Sequence, residues 1–312
     1  MTLKEEYRAS LKSMDTEEWL DLHFYRPMGF AWAKLFAKTG VTPNAVTVFS
    51  IFLGVFGGIL LYPKELWSTL LGIFLIIWAN TYDSADGQLA RMTKQYSRMG
   101  RILDGVSGDF WFVAIYLALV FREIDFGDAL LSMFFSGHAW LIWTLALLAG
   151  FCHAKQAAMA DYYRQFHLYF LKGAEGSELD STAQLSVQYN NMSWGRDAWS
   201  KFVLLFYRSY TASQERLTPS MQRLRAALHE RYGDDVPPQE FRDSFRIKSL
   251  PLMKYTNILS FNTRIIAMFV SVLINIPWLY FAFELVVLNA LMVYMIARHE
   301  SKCKAALAEL NQ

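Results

Sequence analysis

Asp83, Asp86, Asp104 and Asp109 lie between the apolar runs LLGIFLIIWANTY and FWFVAIYLALVF. Carboxylates that converge in a low dielectric repel one another, and a divalent cation relieves that repulsion. No His or Cys occurs in residues 83–109. Oxygen-only ligation points to magnesium, calcium or manganese rather than zinc. Asp83 and Asp86 are spaced i, i+3 and so share a helix face. Gly87 follows at once, and its missing side chain lets a ligand or a second backbone approach. Arg91 stands on the same face, where a guanidinium can fork onto a phosphate. Asp104 opens the next helix, after a turn near Gly100. Two antiparallel helices would gather Asp83, Asp86 and Asp104 beside an arginine and a glycine. Metal-bridged diphosphate chemistry needs such a set: a cation to neutralise charge and a base to activate a nucleophile. The competing reading is a solvated charged loop. Against it, Leu89, Met92, Ile102 and Leu103 carry the apolar pattern into the segment from both sides.

The elements that must hold these residues are membrane spans. The chain has 312 residues, of which 54% are hydrophobic and 19% charged, against about 25% charged in soluble domains. Mean hydropathy is positive. A spanning helix needs about 20 mainly apolar residues. Six segments qualify: 43–62, 66–85, 102–121, 129–152, 260–277 and 279–297. A charge at mid-membrane costs roughly 2.5–3.5 kcal/mol on insertion scales, and the aspartates avoid this by sitting near helix ends. The connections between spans 1 and 2, 3 and 4, and 5 and 6 contain only Lys64 and Arg122 of the 30 Lys and Arg. The positive-inside rule then places both termini and residues 83–109 in the cytoplasm.

The expected fold is all-α: an integral membrane bundle of six transmembrane helices. Residues 1–40 form an N-terminal arm. Within it Trp19, Leu22, Phe30, Trp32, Leu35 and Phe36 alternate with charges, and Pro27 interrupts; an interfacial amphipathic helix fits, with a partly soluble arm as the alternative. Residues 41–172 hold spans 1–4, residues 173–255 a cytoplasmic insertion, and residues 256–312 spans 5–6 and a tail. The insertion is polar, with one or two helices expected, for example at 197–207 and 219–232. Cys152 and Cys303 suggest neither a disulfide framework nor a zinc site. The N-terminus lacks the pattern of a cleaved signal peptide. A net charge of +2 names no partner, and no nucleic acid is expected.

Asp83-x2-Asp86-Gly87-x2-Ala90-Arg91-x8-Gly100-x3-Asp104 resembles the signature of the CDP-alcohol phosphotransferase family, and VTPNAVT at 41–47 resembles that family's entry to its first span. The resemblance implies transfer of a phosphoalkyl or phosphatidyl group from a CDP-linked donor to an alcohol, with release of CMP. It implies Mg2+ or Mn2+ in a two-metal site, held by Asp83, Asp86, Asp104 and a fourth aspartate that is also general base. It places Asn44, Gly87, Arg91 and Ser97 around the CDP moiety, and it implies a homodimer. The sequence departs from the family at the fourth acid. That position is Gly108, and the acid is Asp109. At about 100° per residue, i+4 lies about 40° from Asp104 and i+5 about 140°. A π-bulge eased by Gly105 and Gly108 would return Asp109 to the metal face as ligand and base. Otherwise the base comes from elsewhere, or the protein is inactive.

On the acceptor side, Lys155 continues the fourth helix past the membrane, and Arg264 lies inside the fifth span. Charges there face a bundle interior or cavity, so both are candidates for an anionic acceptor or headgroup. Snorkelling is the alternative for Lys155, and a paired structural charge for Arg264. The favoured donor is CDP-diacylglycerol with a small polar alcohol, inositol or inositol phosphate. The alternatives are a CDP-choline or CDP-ethanolamine enzyme acting on diacylglycerol or ceramide, and an inactive membrane scaffold.

Overall fold

A computed structural model describes residues 2–11, 13–127, 131–173, 179–233 and 235–310. Among the described residues there are helices and no strand. Among the described residues, three helical stretches are long and apolar enough to cross a bilayer: Leu103–Phe126, Gln239–Leu273 and Pro277–Leu310. Pro43–Ile59 is apolar but shorter. The chain divides into two compact units, residues 1–151 with 262–285, and residues 152–261 with 286–312.

The first unit begins with α1 (Leu3–Ser10), capped by a reciprocal Thr2–Glu5 box. Pro27 does not interrupt the arm. A π-helical turn, Asp21–Tyr25, runs into α2 (Arg26–Thr39), and Pro27 is the second residue of α2, so the wider turn sits immediately before the proline. Gly40 ends α2 at φ 75°, a conformation glycine adopts without strain. α3 (Pro43–Ile59) starts at Thr42, whose hydroxyl accepts from the Ala45 N–H. α4 (Leu66–Thr93) and α5 (Arg98–Phe126) both pack against α3. Lipid offers no hydrophobic drive between helices, so close van der Waals packing through small residues does the work. A β-carbon at Gly57 would lie 2.9 Å from the Gly72 carbonyl oxygen, and one at Gly54 would lie 2.3 Å from the Trp111 ring. α2 lies along α4 through Ala33, Tyr82, Ala85 and Leu89, with the Trp32 and Tyr82 rings 5.2 Å apart.

α6 (Ser132–Gly137) precedes α7 (Ala139–Lys172). The expected start of span 4 at 129–130 lies outside the described residues. α13 (Phe261–Leu273) and α14 (Pro277–Phe283) meet at a turn where Asn275 takes φ 56°. A π-helical turn, Glu284–Leu288, follows α14.

The second unit contains the remainder of α7, then α8 (Thr182–Asn191), α9 (Trp194–Leu217), α10 (Pro219–Tyr232), α11 (Gln239–Ser249), α12 (Met253–Ile258) and α15 (Asn289–Leu310). The insertion thus holds more helix than the two segments expected from its sequence. The 219–232 segment matches α10, whereas 197–207 lies within the longer α9, starting at its kink at Asp197. Residues 174–178 and 234 of the insertion lie outside the described residues. Phe170 and Phe245 stack at 4.0 Å. Glu300 on α15 accepts the Ser220 and Met221 N–H groups at 2.6 and 3.2 Å, satisfying donors that the first turn of α10 leaves open.

Candidate metal centre

α4 carries Asp83 and Asp86 one turn apart. It ends at Lys94, which takes φ 55° and donates its N–H to the Ala90 carbonyl. Ser97 then caps α5, accepting the Gly100 N–H at 2.8 Å. The short link folds Asp104 back toward α4. Carboxylate oxygens of Asp83, Asp86 and Asp104 all lie within 4.8 Å of one another. Asp86 is buried, Asp83 half-buried and Asp104 exposed. Hard oxygen donors at this separation fit a divalent cation such as Mg2+ or Mn2+.

Hydroxyl groups orient the acids. Thr47 on α3 donates to Asp86. Ser107, one turn beyond Asp104, donates to Asp83 Oδ1 at 2.8 Å. Arg26 reaches Ser84 Oγ at 3.3 Å and pairs with Glu17 at 2.9 Å. Burial disfavours the Arg26 charge, but Glu17 beside it outweighs that, and the pKa stands above the usual arginine value. Arg91 differs: burial, reinforced by Arg26, pulls its pKa below the usual value. Its Nε donates to the Ser10 carbonyl at 2.6 Å, which ties the end of α1 to the site.

The residues expected around a nucleotide fall into two groups. Ser97 Oγ is 3.1 Å from Asn44 Oδ1. A β-carbon at Gly100 would stand 2.4 Å from the same Asn44 oxygen, so a larger residue there would displace the Asn44 side chain. At Gly87 a β-carbon would meet nothing nearer than the Arg91 guanidinium at 3.4 Å. Packing within the chain therefore does not demand glycine at 87.

The bulge expected between Asp104 and Asp109 is not present. α5 is α-helical throughout, including Gly105 and Gly108. Asp109 is exposed and does not join the group of three. The physical reason is the 140° turn: unless a residue is absorbed, i+5 cannot share a face with i. Arg264 is likewise not an open anion site. It is buried and donates to Glu284 at 2.5 Å, and Glu284 also accepts from Tyr116 and Tyr280. It is the paired charge that the sequence left as the alternative. Lys155 belongs to the second unit and is half-buried on α7.

Residues 40–165 match the family described as CDP-alcohol phosphatidyltransferase. The CDP-alcohol phosphatidyltransferase match encloses the three clustered aspartates, Asn44, Gly87, Arg91 and Ser97, and it ends before the insertion. A stretch of 105 residues is 30% identical to an uncharacterized protein of Aquifex aeolicus (strain VF5), covering 34% of this chain and 52% of that protein. The match therefore spans about half the length of that relative.

Sequence reasoning missed Thr47, Ser107 and Arg26. Ser107 had a local signal, being i+3 from Asp104. Thr47 had one too, a hydroxyl one turn past Asn44. Arg26 had none, because nothing in its spacing says that α2 docks beside Ser84.

Proposed function

We propose that this protein is a metal-dependent CDP-alcohol phosphotransferase of phospholipid biosynthesis. It would transfer a phosphatidyl group from CDP-diacylglycerol to a small polar alcohol, inositol or inositol phosphate, and release CMP. The observation that carries this is the approach of Asp83, Asp86 and Asp104 to within 4.8 Å inside the matched domain. The proposal includes six membrane passes, both termini and the site facing the cytoplasm, and a homodimer.

Bound at the three carboxylates, one or two divalent cations would neutralise the diphosphate and make its phosphorus more electrophilic. Arg91 and the open face of Gly87 would hold the donor phosphates, with Asn44 and Ser97 nearer the nucleoside. The acceptor hydroxyl oxygen attacks the phosphorus of the phosphatidyl group. The bond to CMP breaks, and CMP leaves with the electron pair. The hydroxyl proton passes to a carboxylate. Asp109 lies on the far side of an unbulged helix, so we assign this proton to Asp104, the exposed member of the cluster.

The test supplies purified protein with radiolabelled CDP-diacylglycerol or CDP-ethanolamine, Mg2+ or Mn2+, and a panel of alcohols. CMP release with CDP-diacylglycerol and inositol or its phosphate, lost in Asp104→Asn, supports the reading. Release from CDP-ethanolamine with diacylglycerol would move the protein to the other donor class. Lipid profiles with and without the expressed protein report the headgroup. A second reading is a non-catalytic membrane scaffold, favoured by Gly108 and by the regular helix through it. CDP binding without CMP release from any acceptor would select it.

A further inference from the structure

The insertion contains an exposed apolar face that the transfer reaction does not use. On α9, Trp199, Phe202, Phe206, Tyr210 and Leu217 form one stripe at three-, four- and seven-residue steps. All five are exposed, Trp199 at 71% and Phe206 at 61%. The opposite side is anchored in the second unit. Leu204, Thr211 and Gln214 are buried, and Gln214 donates to the Ala158 carbonyl at 2.8 Å. The helix therefore has one face packed into its own unit and an exposed, largely aromatic face. An open apolar depression lined by Trp194, Ala198, Trp199 and Phe202 extends this face toward the start of the helix.

We propose that this face of α9 lies on the phospholipid bilayer, with its aromatic side chains at headgroup depth. Three features commit the face to lipid. First, α9 is too charged to cross a membrane: it carries Arg196, Asp197, Lys201, Arg208, Glu215 and Arg216. A helix with a strong apolar face and charged flanks lies in the interfacial plane instead. Second, the charges are sorted. Asp197 and Glu215 are taken up as acceptors of the Ser193 and Thr182 N–H groups at 3.2 and 3.0 Å. Arg196 and Arg216 stay exposed toward the two ends, where they complement anionic headgroups. Lys201 and Arg208 lie over the Tyr189 ring of α8, on the side of the helix away from the apolar stripe. Third, the insertion continues α7 in a chain that carries helices long and apolar enough to cross a membrane. Tethering makes bilayer contact intramolecular and raises its effective concentration far above that of a soluble partner.

The test uses the full chain reconstituted in nanodiscs, with an environment-sensitive thiol label at Phe206→Cys. A matched label at Glu230→Cys on α10 is the control, and the signal of the unsubstituted chain is subtracted for Cys152 and Cys303. Quenching is measured with lipids carrying a quencher near the headgroup and with aqueous iodide. The proposal expects position 206 to be quenched several-fold more by the lipid quencher than position 230, with the reverse order for iodide. It expects the lipid contrast to grow when anionic lipid is added. Equal iodide access at both positions would mean the face is open to water, and would overturn it. Protection of position 206 from both quenchers would mean that a second copy or another protein covers the face, and would overturn it equally. Because Phe206 is exposed, its replacement leaves the core intact. CMP release by the labelled protein reports separately on the proposed reaction.

Discussion

α5 carries a buried cation near one end and, near the other, the aspartate that joins two acids of α4 in a cluster, and the two charges are handled in opposite ways. Arg122 is 2% exposed, and its guanidinium is satisfied by neutral acceptors of the chain. Nη1 donates to the Leu61 and Pro63 carbonyls and to Thr69 Oγ1 at 2.8–2.9 Å. Nη2 reaches the Val272 carbonyl at 3.0 Å, and Nε reaches Asn275 Oδ1 at 3.1 Å. One side chain thus ties the α3–α4 connection and the end of α13 to α5. At the other end, three carboxylates are drawn within 4.8 Å of one another, and the hydroxyls of Thr47 and Ser107 orient two of them. A charge satisfied by surrounding carbonyls stabilises the fold. Like charges gathered together spend stability in order to bind something.

The sharpest break of this contrast is Asp104→Asn. We expect CMP release to fall by about three orders of magnitude, the several kcal/mol that a metal contributes to a transition state. The thermal midpoint without metal should hold or rise, because one repelling charge is gone. A lower midpoint would make the cluster structural. Next is Arg122→Met, expected to cost about 3–5 kcal/mol of stability, since buried carbonyls lose a charged donor. Activity per folded molecule should be retained; thermal unfolding in detergent alongside an active-fraction assay reads both. Third, Mg2+ or Mn2+ at a hundredfold excess over its dissociation constant should stabilise the wild type by about 2.7 kcal/mol, and Asp104→Asn should erase that shift. Ser107→Ala removes one hydrogen bond to Asp83, about 1 kcal/mol, or roughly a fivefold loss in metal affinity, read by titration calorimetry. The smallest effect belongs to Asp109→Asn, for which CMP release should change little. A loss as large as that of Asp104→Asn would restore the catalytic role expected from the sequence.

Much of this was legible before the structure. Asp83, Asp86 and Asp104 are recognisable from a one-turn spacing and a short turn, because helix periodicity alone decides which residues share a face. The last insertion helix before the YGDD stretch was also legible, with Pro219 at its first turn and Gly233 beyond its end. Arg264 was visible as an intramembrane charge, but its partner Glu284 lies 20 residues away in sequence. Only the folded turn at Asn275 and Ile276 brings the two together.

By itself, the sequence determined that Asp83 and Asp86 share a helix face, that the chain is rich in apolar helix, and that one acid is displaced from Asp104 by five positions. These are properties of composition and of a 3.6-residue period, which need no knowledge of neighbours. Tertiary structure alone decided that α5 keeps its period through Gly105 and Gly108, leaving Asp109 outside the cluster. It also decided that Arg26, Thr47 and Ser107 stand around the acids, and that Arg122 and Arg264 are consumed by the fold. Each of those outcomes depends on which surfaces of distant helices meet, and local spacing does not encode that.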